Sequence, residues 1–228
     1  MLNAPFETSG IQLNWDAIST VLLDMDGTLL DLHFDNYFWL QHIPLRYGQK
    51  NNLTTEEALQ HLEPRMRKHQ GQLNWYCVDF WSAELDLDVA ALKREVDHKI
   101  AFRPNVIPFL REVRNQQKRC VIVTNAHQAS IAIKIEKTAL HEHVDRIISA
   151  HDIRAPKEDQ QFWIQLHQQE PFNEATTLLI DDSLPVLRSA QRYGIAHLLT
   201  IRQPDSQQPG HEQQEFPALG CFAEITPA

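Results

Sequence analysis

Three stretches of the chain are continuously apolar and β-branched, and each stops abruptly at polar residues. Val21-Leu22-Leu23 runs into Asp24-Met25-Asp26-Gly27-Thr28, Cys120-Val121-Ile122-Val123 into Thr124-Asn125, and Leu178-Leu179-Ile180 into Asp181-Asp182-Ser183. Apolar runs of this length without alternation predict strands covered on both faces. Val144 to Ser149 reads as a shorter strand. Between the strands the pattern widens to helical spacing. Pro104 to Arg114 places Val106, Phe109, Leu110 and Val113 on one side, and Ala129 to Leu140, Asp159 to Gln169 and Ser183 to Tyr193 follow, the last with Gly194 as a C-cap. Strands alternating with helices predict βαβ units, an α/β fold and a largely parallel sheet. Arg202 to Leu219 is rich in Gln and Pro without periodicity and reads as a loop or loose tail.

The region from Phe34 to Ile100 behaves differently, with no strand-like alternation. Tyr37, Phe38, Leu40, Ile43, Pro44 and Leu45 suggest a helix reaching toward Gly48, which Pro44 kinks or restarts. Thr54-Thr55-Glu56-Glu57 is a capped helix entry, and the apolar stripe of Ala58, Leu59 and Leu62 should end where Pro64 interrupts it. Asn74 to Leu85 and Val89 to Ile100 read as two further helices. An all-helical insertion directly after the first strand is therefore expected.

Size and charge restrict what such a chain can do. With 228 residues it can hold one sizeable α/β core and a small accessory unit. A formal charge of −9 and the lack of a long basic run argue against a nucleic-acid polymer or an anionic membrane as partner. Cys77, Cys120 and Cys221 are odd in number, widely spaced and form no CxxC pair, which argues against a disulfide framework or a zinc site. Met1 to Asn14 lacks a basic stretch followed by an apolar one, and no apolar run is long enough to span a bilayer, so a cytoplasmic location is expected.

The polar strand ends carry the chemistry. Alternate side chains of a strand share a face, so Asp24 and Asp26 can point the same way, with Gly27 turning the chain behind them. Asp181 and Asp182 are adjacent carboxylates that repel unless a cation is near. Thr124 and Asn125 offer a hydroxyl and an amide as hydrogen-bond donors, and Lys157 supplies a positive charge from a loop. Four converging carboxylates need a compensating cation, and an all-oxygen set suits Mg2+.

These pieces, in this order, resemble the haloacid dehalogenase superfamily, whose signature is a strand ending in Asp-x-Asp-Gly-Thr, then Ser or Thr, then Lys, then paired acids. The run from Asp24 to Trp39, the aromatic-rich insertion and the segment Ile180 to Leu187 resemble the bacterial GMP/IMP 5′-nucleotidase branch more closely. The resemblance implies a Rossmann-like core from residues 1–33 and 101–228, with residues 34–100 as a helical cap closing over the strand ends. It also implies a Mg2+-dependent phosphomonoesterase working through an aspartyl phosphate. Asp24 would be the nucleophile and Asp26 the acid and base. Thr124 and Lys157 would hold the transferring phosphoryl group, with Asn125 as a further donor. Asp24 and Asp182 would bind the metal directly, Asp26 through its backbone carbonyl, and Asp181 either through water or as a second ligand.

The second carboxylate, Asp26, disfavours dehalogenation, which needs no leaving-group acid. A phosphomutase, a phosphatase of phosphoglycolate or of a sugar phosphate, and a non-enzymatic interaction module remain as alternatives to a purine nucleotidase. Asp31 reads as structural, and His141-Glu142-His143 as solvated. His33 and His127 lie just beyond motifs, where they could touch substrate or merely pack. Of the aromatics Tyr37, Trp39, Trp75, Tyr76, Phe80 and Trp81, most should pack the helices, while one or two facing the cleft, such as Trp75 or Tyr76, could stack on a base.

Overall fold

The computed structural model describes residues 11–210 and 215–227; most of the Met1 to Asn14 reading therefore lies outside the described residues. The apolar runs form β1 (Thr20–Leu23), β2 (Arg119–Thr124), β3 (Arg146–Ser149), β4 (Thr177–Ile180) and β5 (His197–Ile201), and a short β6 (Ala218–Leu219) joins them. All pairings are parallel, in the order β3-β2-β1-β4-β5-β6. The chain winds outward from β1 to β3 and then returns to the other side of β1 at β4. In such sheets the reversal opens a crevice at the strands' carboxyl ends, here those of β1 and β4.

Between β1 and β2 the described chain is helical: α1 (His33–Tyr37), a π-helical turn (Phe38–His42), α2 (Ile43–Asn51), α3 (Thr55–Arg67), α4 (Leu73–Tyr76), α5 (Val78–Leu85), α6 (Val89–Glu95) and a 3-10 turn (Asp97–Lys99). The expected cap of α3 is present in both halves. Glu57 N donates to Thr54 Oγ1 at 3.2 Å, and Thr54 N donates to the Glu57 carboxylate at 2.8 Å, an arrangement worth about 1 kcal/mol. Pro44 follows the π-helical turn within an unbroken helical run from His33 to Asn51, where the Ile43 N–H already bonds Phe38 O five residues back.

Two expectations for this segment need correction. Pro64 does not end its helix, because α3 continues to Arg67. Pro64 removes one bond near an exposed C-terminal end, where the carbonyl of exposed Gln60 can turn to water. Asn74 to Leu85 is not one helix either. Cys77 adopts an extended backbone between α4 and α5, and its Sγ accepts the Phe80 N–H at 3.4 Å as a cap.

The helical segment leaves and rejoins the core through a narrow neck. Leu30 and Phe102 form an antiparallel bridge. Beside it, Asp31 N donates to Ala101 O at 2.9 Å and Arg103 N to Leu29 O at 3.0 Å.

The sheet is apolar on both faces, as the unbroken runs require. Val21, Leu23, Cys120, Ile122, Leu178 and Ile180 belong to one buried layer, with α7 (Val106–Asn115), α8 (Gln128–Thr138) and residues of the helical segment such as Phe34, Phe38 and Trp81. Leu22, Val121, Val123 and Leu179 belong to a second layer, packed with α9 (Ala150–Ile153), α10 (Gln160–Gln169) and α11 (Leu184–Tyr193).

Arg202 to Leu219, expected to be a loop or loose tail, is a loop as far as β6 in its described part, but it is not loose. Asp205 is buried and accepts from Asn36 Nδ2 at 2.7 Å, Leu32 N donates to Pro204 O at 3.0 Å, and the Arg103 guanidinium bonds the carbonyls of Gln203 and Pro204. Anchors this distant in sequence leave no periodic signal. Among the described residues no helix is long and apolar enough to cross a membrane.

Candidate active site

Each chemical group singled out in the sequence reaches one cavity of about 340 Å³. Asp24 and Asp26 follow β1, Thr124 ends β2 with Asn125 next, Asp181 and Asp182 follow β4, and Lys157 comes from the loop before α10. The parallel pairing of β1 with β2 and β4 puts these ends side by side. Trp39, Leu40, Met66, Trp75 and Tyr76 of the helical segment form part of the wall. A volume of this order suits a small molecule.

Lys157 lies at the centre of the acidic set. Its Nζ donates to Asp24 Oδ1 at 2.5 Å, Asp181 Oδ2 at 2.6 Å and Val123 O at 3.1 Å. All three ammonium donors thus have acceptors. Burial opposes the charge on Lys157, but Asp181 and Asp24 overcome it and raise the ammonium above the ordinary lysine range. Burial pushes Asp24 up to about 6, against the pull of Lys157 and helped by the charge of Asp181. Asp182 is raised well above its usual value, first by burial and then by Asp24 and Asp181.

Gly27 explains how Asp182 can come so close. It has φ of +89°, and a Cβ there would lie 2.5 Å from Asp182 Oδ2. A side chain at this position is both strained and excluded by the carboxylate.

A second buried network holds Asp26. Lys134 of α8 lies 2.6 Å from Asp26 Oδ1 and 2.7 Å from Asp35 Oδ2, and Lys93 of α6 is 2.7 Å from Asp35 Oδ1. Burial raises Asp26 to about 6, with Lys134 opposing and Asp35 adding to the rise. For Asp35 burial also raises, but Lys134 and Lys93 together hold the carboxyl below its usual range. The Lys93 ammonium sits 4.6 Å from the Phe38 ring centroid and 4.9 Å from that of Phe34, so aromatic faces replace part of its lost hydration.

Thr124 is buried, and its Oγ1 accepts the Ala126 N–H at 3.0 Å, which leaves the hydroxyl hydrogen available to a ligand. Asn125 spans two elements. Its Oδ1 accepts Lys157 N at 2.9 Å and its Nδ2 donates to Glu158 Oε2 at 3.0 Å, and the same side chain hydrogen-bonds Tyr76. Glu158 in turn accepts the Tyr76 hydroxyl at 2.7 Å and connects the helical segment to the strand-end loops.

Sequence reading did not single out Lys134, Lys93, Asp35 or Glu158. One signal was present: Lys134 interrupts the apolar run Ile131 to Ile135, where a lysine must find a buried partner. Asp31 is structural, accepting from His33 N and Ser206 N at 3.0 Å each. His33 lies 3.6 Å from Asp205, and His127 caps α8.

The cavity can hold a divalent cation. Carboxylate oxygens of Asp24, Asp181 and Asp182 lie within 4.8 Å of one another. Five aspartates and three lysines line the space, which leaves two negative charges when all are ionised. A hard divalent ion with oxygen ligands matches both the donor set and the deficit.

The chain also resembles known proteins along most of its length. A model of the haloacid dehalogenase-like hydrolases matches residues 21–200. The chain is 39% identical over 218 residues to the GMP/IMP nucleotidase YrfG of Escherichia coli strain K12, covering 96% of this chain and 98% of that protein. The protein of the same name from Shigella flexneri matches equally, at 39% identity over the same 96% and 98%. Among solved structures, a HAD phosphatase from Thermococcus onnurineus shares the fold with a TM-score of 0.75 at 21% identity, over 91% of this chain and 96% of that one. The L-2-haloacid dehalogenase of Xanthobacter autotrophicus shares it more distantly, with a TM-score of 0.55 at 15% identity over 81% and 78%.

Proposed function

The chain belongs to the haloacid dehalogenase-like hydrolases, and on that premise we propose that it is a Mg2+-dependent phosphomonoesterase acting on purine 5′-monophosphates such as GMP and IMP. The observation that carries this reading is the pair Asp24 and Asp26, facing one cavity with Asp181, Asp182 and Lys157 at the strand ends. The curated relatives are named for GMP and IMP, and the aromatic wall offers faces for a base.

In this reading Asp24, pinned by Lys157, attacks phosphorus and becomes an aspartyl phosphate. That splits one difficult displacement into two. Asp26 donates a proton to the leaving alkoxide, then takes one from the water that cleaves the intermediate. Its raised pKa, near 6, keeps a usable fraction protonated near neutrality. The Thr124 hydroxyl binds a phosphoryl oxygen, with the Asn125 amide as a further donor, and Lys157 offsets their charge. Asp24, Asp181 and Asp182 would hold the magnesium ion, which supplies positive charge against the phosphoryl group when bound. Residues 34–100 act as a cap that contacts the leaving group, with residues 1–33 and 101–228 as the catalytic core. The protein works in the cytoplasm on a small-molecule substrate.

The deciding experiment is a phosphate-release screen over a panel of monophosphates, with kcat/KM for each hit. GMP and IMP should lead. If phosphoglycolate or a hexose phosphate exceeds every nucleotide, the substrate assignment is wrong; if no monoester is hydrolysed, the phosphatase assignment is wrong too.

A further inference from the structure

A second group of metal-ligating side chains lies outside the acidic site. The Cys77 thiol and one ring nitrogen each from His127 and His151 lie within 4.8 Å of one another. Asp79 adds a carboxylate, with Oδ2 3.5 Å from His127 Nε2. The two imidazoles meet edge to face, with centroids 4.8 Å apart.

We propose that Cys77, Asp79, His127 and His151 form a binding site for a zinc-class divalent cation. Thiolate and imidazole ligands favour zinc over the hard ions suited to the acidic cavity. A tetrahedral zinc site separates its ligand atoms by about 3.3–3.6 Å. The Asp79 to His127 spacing already falls there, and the Cys77, His127 and His151 ligand atoms lie within 4.8 Å of one another. His151 Nε2 is buried without a hydrogen-bond partner, an atom whose lone pair or proton the fold leaves unused.

The expectation from sequence was that no zinc site exists, because the cysteines form no spaced pair. That argument sees only ligands close in sequence. Here the chain brings them from three places: the break between α4 and α5, the cap of α8 and the start of α9. A cation held there crosslinks the start of α5 to the loops after β2 and β3. Ala129 N donates to His127 Nδ1 at 3.3 Å; ligation through Nε2 takes the other tautomer and gives up this long contact.

Cobalt(II) titration of the whole protein in excess Mg2+ tests the site. One equivalent should give tetrahedral visible bands and a thiolate-to-cobalt charge-transfer band. Cys77→Ser should abolish the charge-transfer band, and His127→Gln or His151→Gln should weaken cobalt binding at least tenfold, with folding checked by circular dichroism. Asp24→Asn should leave the spectrum unchanged. In the unmodified protein, Zn2+ should also protect Cys77 from alkylation. Absence of the charge-transfer band, its survival in Cys77→Ser, its loss in Asp24→Asn, cobalt affinity unchanged from the wild type in both histidine variants, or equal alkylation with and without Zn2+ would each overturn the proposal.

Discussion

Lys134 Nζ lies 2.6 Å from Asp26 Oδ1, and the same ammonium reaches Asp35 at 2.7 Å. The residue assigned the proton transfers is thus tethered to α8 and, through Asp35 and Lys93, linked to α6 of the helical segment. Lys134→Met leaves two buried carboxylates sharing only Lys93. Urea unfolding should show a loss of about 3 kcal/mol. Adding Asp35→Asn should restore part of it, because one uncompensated charge disappears. A wild-type midpoint in the single variant would show that the network contributes nothing to stability.

Asp24→Asn is nearly isosteric, and its amide oxygen can still accept from Lys157. Folding should be retained while turnover falls by roughly 10³-fold or more. Brief incubation with labelled substrate should place phosphate on Asp24 in the wild type, and label on any other residue would refute the nucleophile assignment.

The acid role of Asp26 is testable by changing the leaving group. Asp26→Asn should slow hydrolysis of a nucleotide by about 10²–10⁴-fold. An activated phenolate ester such as p-nitrophenyl phosphate barely needs protonation and should lose far less in its first step. Equal losses in a pre-steady-state measurement of both esters would count against the role.

Stability should depend on pH and metal together. Asp24 and Asp26 have folded values near 6 in the metal-free protein, above the ordinary 3.8. Between these limits the folded chain binds more protons than the unfolded one. The contribution of these groups therefore falls as pH rises from about 4 to 6 and stays low above that. A cation bound by ionised Asp24, Asp181 and Asp182 reverses the penalty, so the rise in Tm on adding Mg2+ should grow from pH 5 to pH 7.5. A rise that is constant or shrinks over that range would contradict binding by this cluster.

Trp75 and Tyr76 both line the cavity, but the Tyr76 hydroxyl is committed to Glu158 at 2.7 Å. Trp75 is the better candidate for stacking on a base. Trp75→Ala should cost about 1–3 kcal/mol in kcat/KM for a purine nucleotide, and much less for p-nitrophenyl phosphate. Equal losses on both substrates would place Trp75 in general packing.

What could be read from the sequence followed from periodicity and from polar groups placed at the ends of apolar runs. The strands before Asp24, Thr124 and Asp181 had no other explanation for their unbroken hydrophobicity than a sheet covered on both faces, and that geometry brings their ends together. The pairing of Lys93, Asp35 and Lys134 was illegible, even though Lys134 stood out inside an apolar run, because it depends on how α6 packs on α8, which no local pattern encodes. Pro64 and Cys77 show the reverse failure. One helix continued through a residue that usually stops it, because the end was exposed, and another broke where the local pattern looked continuous. The Asp205 anchor lay in a polar stretch whose ties to Asn36, Leu32 and Arg103 are distant in sequence.

The neck at Leu30 and Phe102 has a consequence for how this architecture can change over generations. Because the backbone is already bridged there, the spacing between β1 and β2 is set without reference to what lies beyond the bridge. An excursion of another length, whose ends arrive at the same two positions, would leave the strand register undisturbed. The helical excursion and the sheet that carries the strand-end carboxylates are therefore free to diverge at different rates.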